Sequence, residues 1–361
     1  MNFGNRGNRP NFEGACPQYA ENDHLVSVIL PVYNGAGFVR ETIDSVLQQT
    51  YQNFELIVVN DGSGDATSQI LSCFTDPRIV LLDLPRNHGV SFARNRGIVA
   101  ARGEFVAFCD ADDLCEPERL QVQLDLLMTD PGIDVCASSF LIFGNGPEQL
   151  VKNPRSDQEI KRYFFSGNCI CQPSVFGRTE VFRKFPYNPE FRVSQDYELW
   201  TRMALGGVVF ANLTQALVKY RLHPAQATMN KGDLVSTVSD SICRNYTLAY
   251  LGNPILAEFA TTAALSLGDF RKFLDELAVV CGSKALDINI FRKLIAFQYK
   301  KLQPPGVRSF VAFMRFSHRH HLAFPWKYLL NLLLLCFIPV KKDSSLFDTL
   351  TKLKLYVPES G

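Results

Sequence analysis

The sequence predicts an α/β fold: a mostly parallel sheet flanked by helices, followed by an all-helical C-terminal region. Three observations carry this. Short apolar runs alternate with helical stripes through the first half of the chain. Each run stops at a polar or turn-forming cluster, and beyond about Asp233 only helical patterning remains. Alternation of this kind implies right-handed βαβ units and parallel strands.

The elements follow in order. Val26 to Leu30 is an apolar run that meets Pro31, and Val39, Ile43, Val46 and Leu47 then recur on one helical face. Glu55 to Val59 reads as a second strand and runs into the turn Asn60-Asp61-Gly62-Ser63. Thr67, Ile70, Leu71 and Phe74 form the next helical stripe, Arg78 to Leu82 a third strand, and Ser91 to Ala101 a helix of small residues. Glu104 to Cys109 is a fourth strand, ending in Asp110-Ala111-Asp112-Asp113, with a helix from Glu116 to Met128 after it. Asp134 to Phe143 continues the sheet, and Ser156 with Glu159 forms a capping-box pattern that starts a helix. Cys169 to Phe176 reads as extended, and Asp196 to Leu205 as a helix stopped by Gly206-Gly207. Val208 to Ala211 and Ala216 to Arg221 read as two short strands. The helical region carries the stripes Phe270, Phe273, Leu274, Leu277 and Ile290, Leu294, Phe297.

The organisation expected from this is a disordered tail over 1–23, an α/β domain over 24–232 and a helical domain over 233–361. At 361 residues the chain is long enough for either one large core or two. A net charge of +1 gives no reason to expect nucleic acid as a partner. Among the ten cysteines, Cys73, Cys109, Cys136 and Cys243 sit in apolar patterns and read as small buried hydrophobes. Cys169 and Cys171 lack a partner pair at zinc spacing, and Met1 to Asp23 contains no apolar core of a secretory signal. These features point to a reduced, cytoplasmic protein.

In open α/β sheets, ligands bind beyond the carboxyl ends of the strands. Three polar clusters stand there: Pro31 to Asn34, Asp61 to Ser63, and Asp110 to Asp113. If their strands are neighbours, the clusters share one edge. Three nearly adjacent carboxylates repel one another, and a cation or ligand donors offset that cost. The competing reading is an acidic turn whose aspartates cap the next helix.

Taken together, these residues resemble the nucleotide-sugar domain of family-2 glycosyltransferases, which have the GT-A fold. The resemblance runs from about Val26 to Thr228. It is carried by Ser27-Val28-Ile29-Leu30-Pro31-Val32-Tyr33-Asn34, Ser45-Val46-Leu47-Gln48-Gln49-Thr50, Glu55-Leu56-Ile57-Val58-Val59-Asn60-Asp61-Gly62-Ser63, Gly89-Val90-Ser91-Phe92-Ala93-Arg94-Asn95 and Gly103-Glu104-Phe105. Asp110-Ala111-Asp112-Asp113, Gln195-Asp196-Tyr197-Glu198-Leu199-Trp200 and Tyr220-Arg221-Leu222-His223-Pro224 complete it.

The resemblance implies roles. Asp61 would accept a hydrogen bond from the nucleobase, with Pro31 and Tyr33 around the base. Arg94 would reach the nucleotide or a neighbouring aspartate, and Asp110 the ribose. Asp112 would coordinate Mg²⁺ or Mn²⁺ on the diphosphate, with His223 near the metal. Asp196 would be the catalytic base of an inverting transfer, although many relatives have Glu-Asp where this chain has Gln195-Asp196. Helix N-capping is a compatible role for Asp196, as an Asx-turn or N-cap is for Asp61. Asp113 reads as structural, Arg96 and Arg102 as solvent-facing, and Ala225 to Gly232 as a flexible lid.

The implied activity is metal-dependent transfer of a sugar from a nucleotide-diphosphate donor, a UDP-sugar by inference from relatives, to a glycan, lipid-linked or polysaccharide acceptor. The rival from another class is an inactive sugar-nucleotide-binding or membrane scaffold protein. A nicotinamide-dependent oxidoreductase is disfavoured because Pro31-Val32-Tyr33-Asn34-Gly35-Ala36-Gly37 lacks the third glycine of that fingerprint. Tyr328 to Val340, extended back to Leu322, is apolar with basic flanks. It suits peripheral contact with the inner face of the membrane better than a span, and a core helix is the alternative.

Overall fold

In the computed structural model the described residues are 24–224, 226, 232–262, 264–283 and 307–319. The expected tail, most of the lid segment and the 322–340 segment lie outside them. Among the described residues nine strands form one mixed sheet, in the order β3 (Ile79–Asp83), β2 (Phe54–Asn60), β1 (Val26–Val32), β4 (Phe105–Phe108), β8 (Phe176–Arg178), β6 (Val135–Gly144), β9 (Phe210–Leu222) and β5 (Leu114–Cys115), with β7 (Gln149–Val151) paired to β6.

The first half follows the sequence reading closely. Strands β1 (Val26–Val32), β2 (Phe54–Asn60), β3 (Ile79–Asp83) and β4 (Phe105–Phe108) are parallel. β1, β2 and β4 are buried along their whole length, so they read as continuous apolar runs rather than alternating ones. Helices α1 (Val39–Leu47), α2 (Thr67–Leu71) and α3 (Val90–Ala100) make the crossovers. Because β1 lies between β2 and β4, their carboxyl ends are neighbours: Val32 is in register with Asn60, and Ile29 with Phe108.

Antiparallel pairing enters after β4. The short β5 (Leu114–Cys115) pairs with β9 (Phe210–Leu222), which lies parallel to β6 (Val135–Gly144), and β8 (Phe176–Arg178) joins β4 to β6. The two short strands expected at 208–211 and 216–221 are one strand. Its register with β6 skips from Leu213 to Ala216, so Thr214 and Gln215 bulge into solvent. The stretch expected to be extended from Cys169 contains a 3₁₀ turn at Gln172–Ser174, and strand geometry begins only at Phe176.

Helices α4 (Arg119–Thr129), α5 (Asp157–Tyr163), α6 (Thr179–Lys184) and α7 (Gln195–Leu205) complete this half. The capping box at α5 forms as the sequence predicts, with Ser156 and Glu159 each satisfying the other's backbone N–H. Leu199 and Met203 of α7 are buried, and Gly206 caps it. The later helices are α8 (Gly232–Leu251), α9 (Pro254–Thr261), α10 (Leu267–Ser283) and α11 (Val307–Arg319). One apolar core runs from Ile29 and Phe108 beneath the sheet, through Phe164 and Tyr197, to Tyr246 of α8 and Phe270 of α10. Among the described residues no helix is long and apolar enough to cross a membrane.

Candidate functional site

The strand-end clusters of β1 and β2 are tied together by Asn34, whose left-handed φ of 52° turns the chain back toward β2. Its N–H donates to Ser63 Oγ at 2.9 Å, and its Oδ1 accepts from Gly64 N–H at 2.9 Å. Pro31 is buried within β1 opposite Val59, while Tyr33, just past the strand, is half exposed. Asp61 is buried. Its carboxylate accepts from His88 N–H at 2.9 Å and from Gly89 N–H at 2.8 Å, bracing the loop that opens α3. The turn after β2 is closed instead by Asn60, whose Oδ1 accepts from Ser63 N–H at 3.2 Å.

Helix α3 reaches the sheet because Gly97 stands where a Cβ would lie 2.5 Å from Ile29 Cγ2. This close approach carries Arg94 under the end of β4. Its buried guanidinium donates from Nη2 to Asp110 Oδ1 at 2.7 Å and lies 5.4 Å from the Tyr187 ring centroid. Arg96 is exposed, as expected. Arg102 is exposed too, but it also binds the buried Glu55 with Nε at 2.8 Å.

The three acids after β4 have different surroundings. Asp112 Oδ2 lies 2.9 Å from His223 Nε2, with both side chains half-buried. Asp113 is fully buried, and its Oδ1 accepts from Arg221 N–H at 2.8 Å. The helix-capping alternative for this cluster is not realised, because α4 begins six residues later, at Arg119, with Glu118 at its N-cap. Arg221 binds the loop from outside. Nε donates to the Asp112 carbonyl at 2.8 Å and Nη2 to Glu41 at 2.6 Å, and the guanidinium lies over the rings of Phe38 and Phe143. His223 also packs on Phe38, with 4.5 Å between centroids.

Asp196 sits in the first turn of α7, where backbone N–H groups favour a carboxylate. The N-cap position belongs to Ser194, held left-handed at φ 50° and making no side-chain capping bond, so Asp196 is not the N-cap. Asn168 Nδ2 donates to Asp196 Oδ2 at 2.8 Å. Burial pushes the Asp196 carboxyl above its usual range, opposed by Arg94 and the Tyr197 backbone and assisted by Asp110. The charge of Arg94 is thus felt by Asp196 as well as by its hydrogen-bonded partner Asp110.

The donor set can be tested against a divalent cation. Burial first, then the charge of Asp110, raises the Asp112 carboxyl, while His223 lowers it. Asp113 Oδ2 is buried without a hydrogen bond. Burial and mutual repulsion thus disfavour the charged forms of Asp112 and Asp113, a cost that a hard cation would relieve. Among the described residues no group of three or more His, Cys, Asp or Glu side chains could hold an ion. Asp112 and His223 fit an open site completed by substrate oxygens, as Mg²⁺ and Mn²⁺ sites on diphosphates are.

Sequence reasoning missed Asn168, Tyr187 and Glu41. Arg221 stood in a quoted motif without a role. The cysteine reading holds for Cys109, Cys136 and Cys243, which are buried, but Cys73 is exposed, with its Sγ near the Gln69 carbonyl.

A mixed α/β sheet whose parallel half ends in the Arg94–Asp110 pair has its candidate site where open α/β sheets bind ligands. Residues 27–185 match the family Glycosyl transferase family 2. An uncharacterized glycosyltransferase of Methanocaldococcus jannaschii is 30% identical over 205 residues, covering 55% of this chain and 71% of that protein. One from Haemophilus influenzae is 32% identical over 222 residues, covering 58% and 68%. The crystal structure of S. aureus TarS 1-349 in complex with UDP-GlcNAc shares the fold, with a TM-score of 0.51 at 17% identity over 83% of this chain and 93% of that one. The chain belongs to glycosyltransferase family 2 and is a glycosyltransferase of the GT-A fold. The alignment with a longer Rickettsia bellii relative covers 34% of that protein.

Proposed function

We propose that this glycosyltransferase catalyses metal-dependent, inverting transfer of a sugar from a nucleotide-diphosphate donor to a glycan, lipid-linked or polysaccharide acceptor. The observation that carries the reading is the pairing of buried Arg94 with Asp110 at the carboxyl edge of the sheet, beside the Asp112–His223 contact. A UDP-sugar is the donor class in this reading, by likeness to the TarS complex with UDP-GlcNAc. The catalytic unit in this reading is residues 24–232, followed by the helices α8 to α11. A cytoplasmic location on the inner face of a membrane is part of the same proposal.

Asp61, Pro31 and Tyr33 would form the base end of the donor site. The Asp61 carboxylate keeps unused lone pairs beyond the two backbone bonds it accepts, so it can brace the loop and bind a base edge at once. Asp110 would receive the ribose, its position fixed by Arg94. Asp112 and His223 would hold Mg²⁺ or Mn²⁺. When bound, that ion neutralises charge developing on the departing nucleoside diphosphate. Arg221 fixes the backbone between these carboxylates and so holds Asp112 toward His223.

Asp196 would take the proton of the acceptor hydroxyl as its oxygen attacks the anomeric carbon. Its raised proton affinity suits a base that must take the proton from the acceptor hydroxyl. Attack opposite the leaving diphosphate inverts the anomeric configuration. A panel of nucleotide sugars, assayed for Mn²⁺-dependent release of nucleoside diphosphate, tests this. Binding without turnover on every donor would favour a sugar-nucleotide-binding scaffold instead.

A further inference from the structure

We infer that Asn168 is the positioning residue of the Asp196 carboxylate. The inference rests on the assignment of Asp196 as base and adds a residue to that site.

Asn168 lies in the loop after α5, next to Gly167 at φ 154°. Its side chain is exposed, yet both of its polar atoms are engaged. Oδ1 accepts from Ile170 N–H at 3.0 Å, and Nδ2 donates to Asp196 Oδ2 at 2.8 Å. Only one rotation of the amide satisfies both bonds, since the flipped amide would face a donor with a donor and a carboxylate with an oxygen. The backbone of the loop therefore sets the direction of the Nδ2–H. A residue needed only to shape this loop would use Oδ1 alone.

For a base, the second bond has two consequences. One carboxylate oxygen is anchored, so the other has a fixed direction for proton transfer. A donor to the ionised form also opposes burial, which otherwise favours the protonated acid. The other groups facing Asp196 are Arg94 from α3, Asp110 from the end of β4, the Tyr187 ring and the N-terminal N–H groups of α7. Arg94 is shared with Asp110, to which it makes its short bond. Asn168 approaches from a different element and is engaged only with its own loop and Asp196.

The test separates the two bonds. Asn168→Asp keeps an Oδ1 acceptor for Ile170 N–H but replaces the donor with a second carboxylate; Asn168→Ala removes both. In the full chain, ¹³C NMR of labelled aspartate carboxyls, with Asp196 assigned from the Asp196→Asn spectrum, follows its titration directly. The expected result is a proton affinity at Asp196 about tenfold higher in Asn168→Ala, and higher still in Asn168→Asp. Asp196 titrating as in the wild type in both variants overturns the inference and leaves the base assignment standing. Normal turnover by Asp196→Asn overturns both.

Discussion

Arg94 and Asp110 form a 2.7 Å ion pair in which the arginine side chain is 3% exposed and the aspartate 27%. The remaining Arg94 donors, Nε and Nη1, are buried without a hydrogen bond. A buried cation hydrogen-bonded to a single carboxylate is a costly arrangement that functional sites retain. Removing it strands Asp110 beside Asp112. Arg94→Ala is expected to lower stability by about 3 kcal/mol, read as a lower urea midpoint at unchanged slope. Arg94→Lys keeps charge but not the planar fork, and UDP affinity should fall at least tenfold.

The Asp112–His223 contact of 2.9 Å joins the loop after β4 to the end of β9. Calorimetric titration with UDP, with and without Mn²⁺, reads its role. Asp112→Ala is expected to abolish the gain in affinity that Mn²⁺ supplies, and His223→Ala to reduce it. Both should leave the weak metal-free binding intact. An undiminished Mn²⁺ effect in Asp112→Ala would remove that residue from the metal site.

Gly97 lets α3 lie close against β1, and a Cβ there would meet Ile29 Cγ2 at 2.5 Å. Ile29 is fully buried in the sheet and cannot retreat into solvent. Gly97→Ala should therefore destabilise the protein by about 1–3 kcal/mol despite alanine's better helix propensity. It should also lower turnover, because α3 carries Arg94. A more stable variant would show that the helix has room to shift.

The pH dependence of kcat has a defined sign. Burial raises the Asp196 carboxyl, and a base works only when ionised. Turnover should therefore be full above the raised value and decline as pH falls through it. The acid limb should lie above the ordinary aspartate value of about 3.9. A limb at or below that value would mean that the base is better solvated than Asp196 is.

The first half of the fold was legible because its strands are short apolar runs closed by turn clusters. Their parallel order puts the ends of β1, β2 and β4 side by side, so Asp61 and Asp110 share one edge, as the polar clusters at the strand ends implied. The second half was harder. Thr214 and Gln215 interrupt the apolar pattern of β9, since a bulge exposes them, so one strand read as two. The links that complete the site join distant residues: Asn168 with Asp196, and Arg221 with Glu41. A single sequence holds no periodicity that marks such pairs. Asp61 and Asp113 show the same limit, because their partners are backbone N–H groups that any residue could present.

The most direct measurement is the anomeric configuration of the product, followed by ¹H NMR with an α-linked UDP-sugar identified from the donor panel. Wild-type protein with Mn²⁺ is expected to give the β-linked product, while Asp196→Asn binds UDP normally and forms none. An α-linked product, or wild-type transfer by Asp196→Asn, would contradict the account.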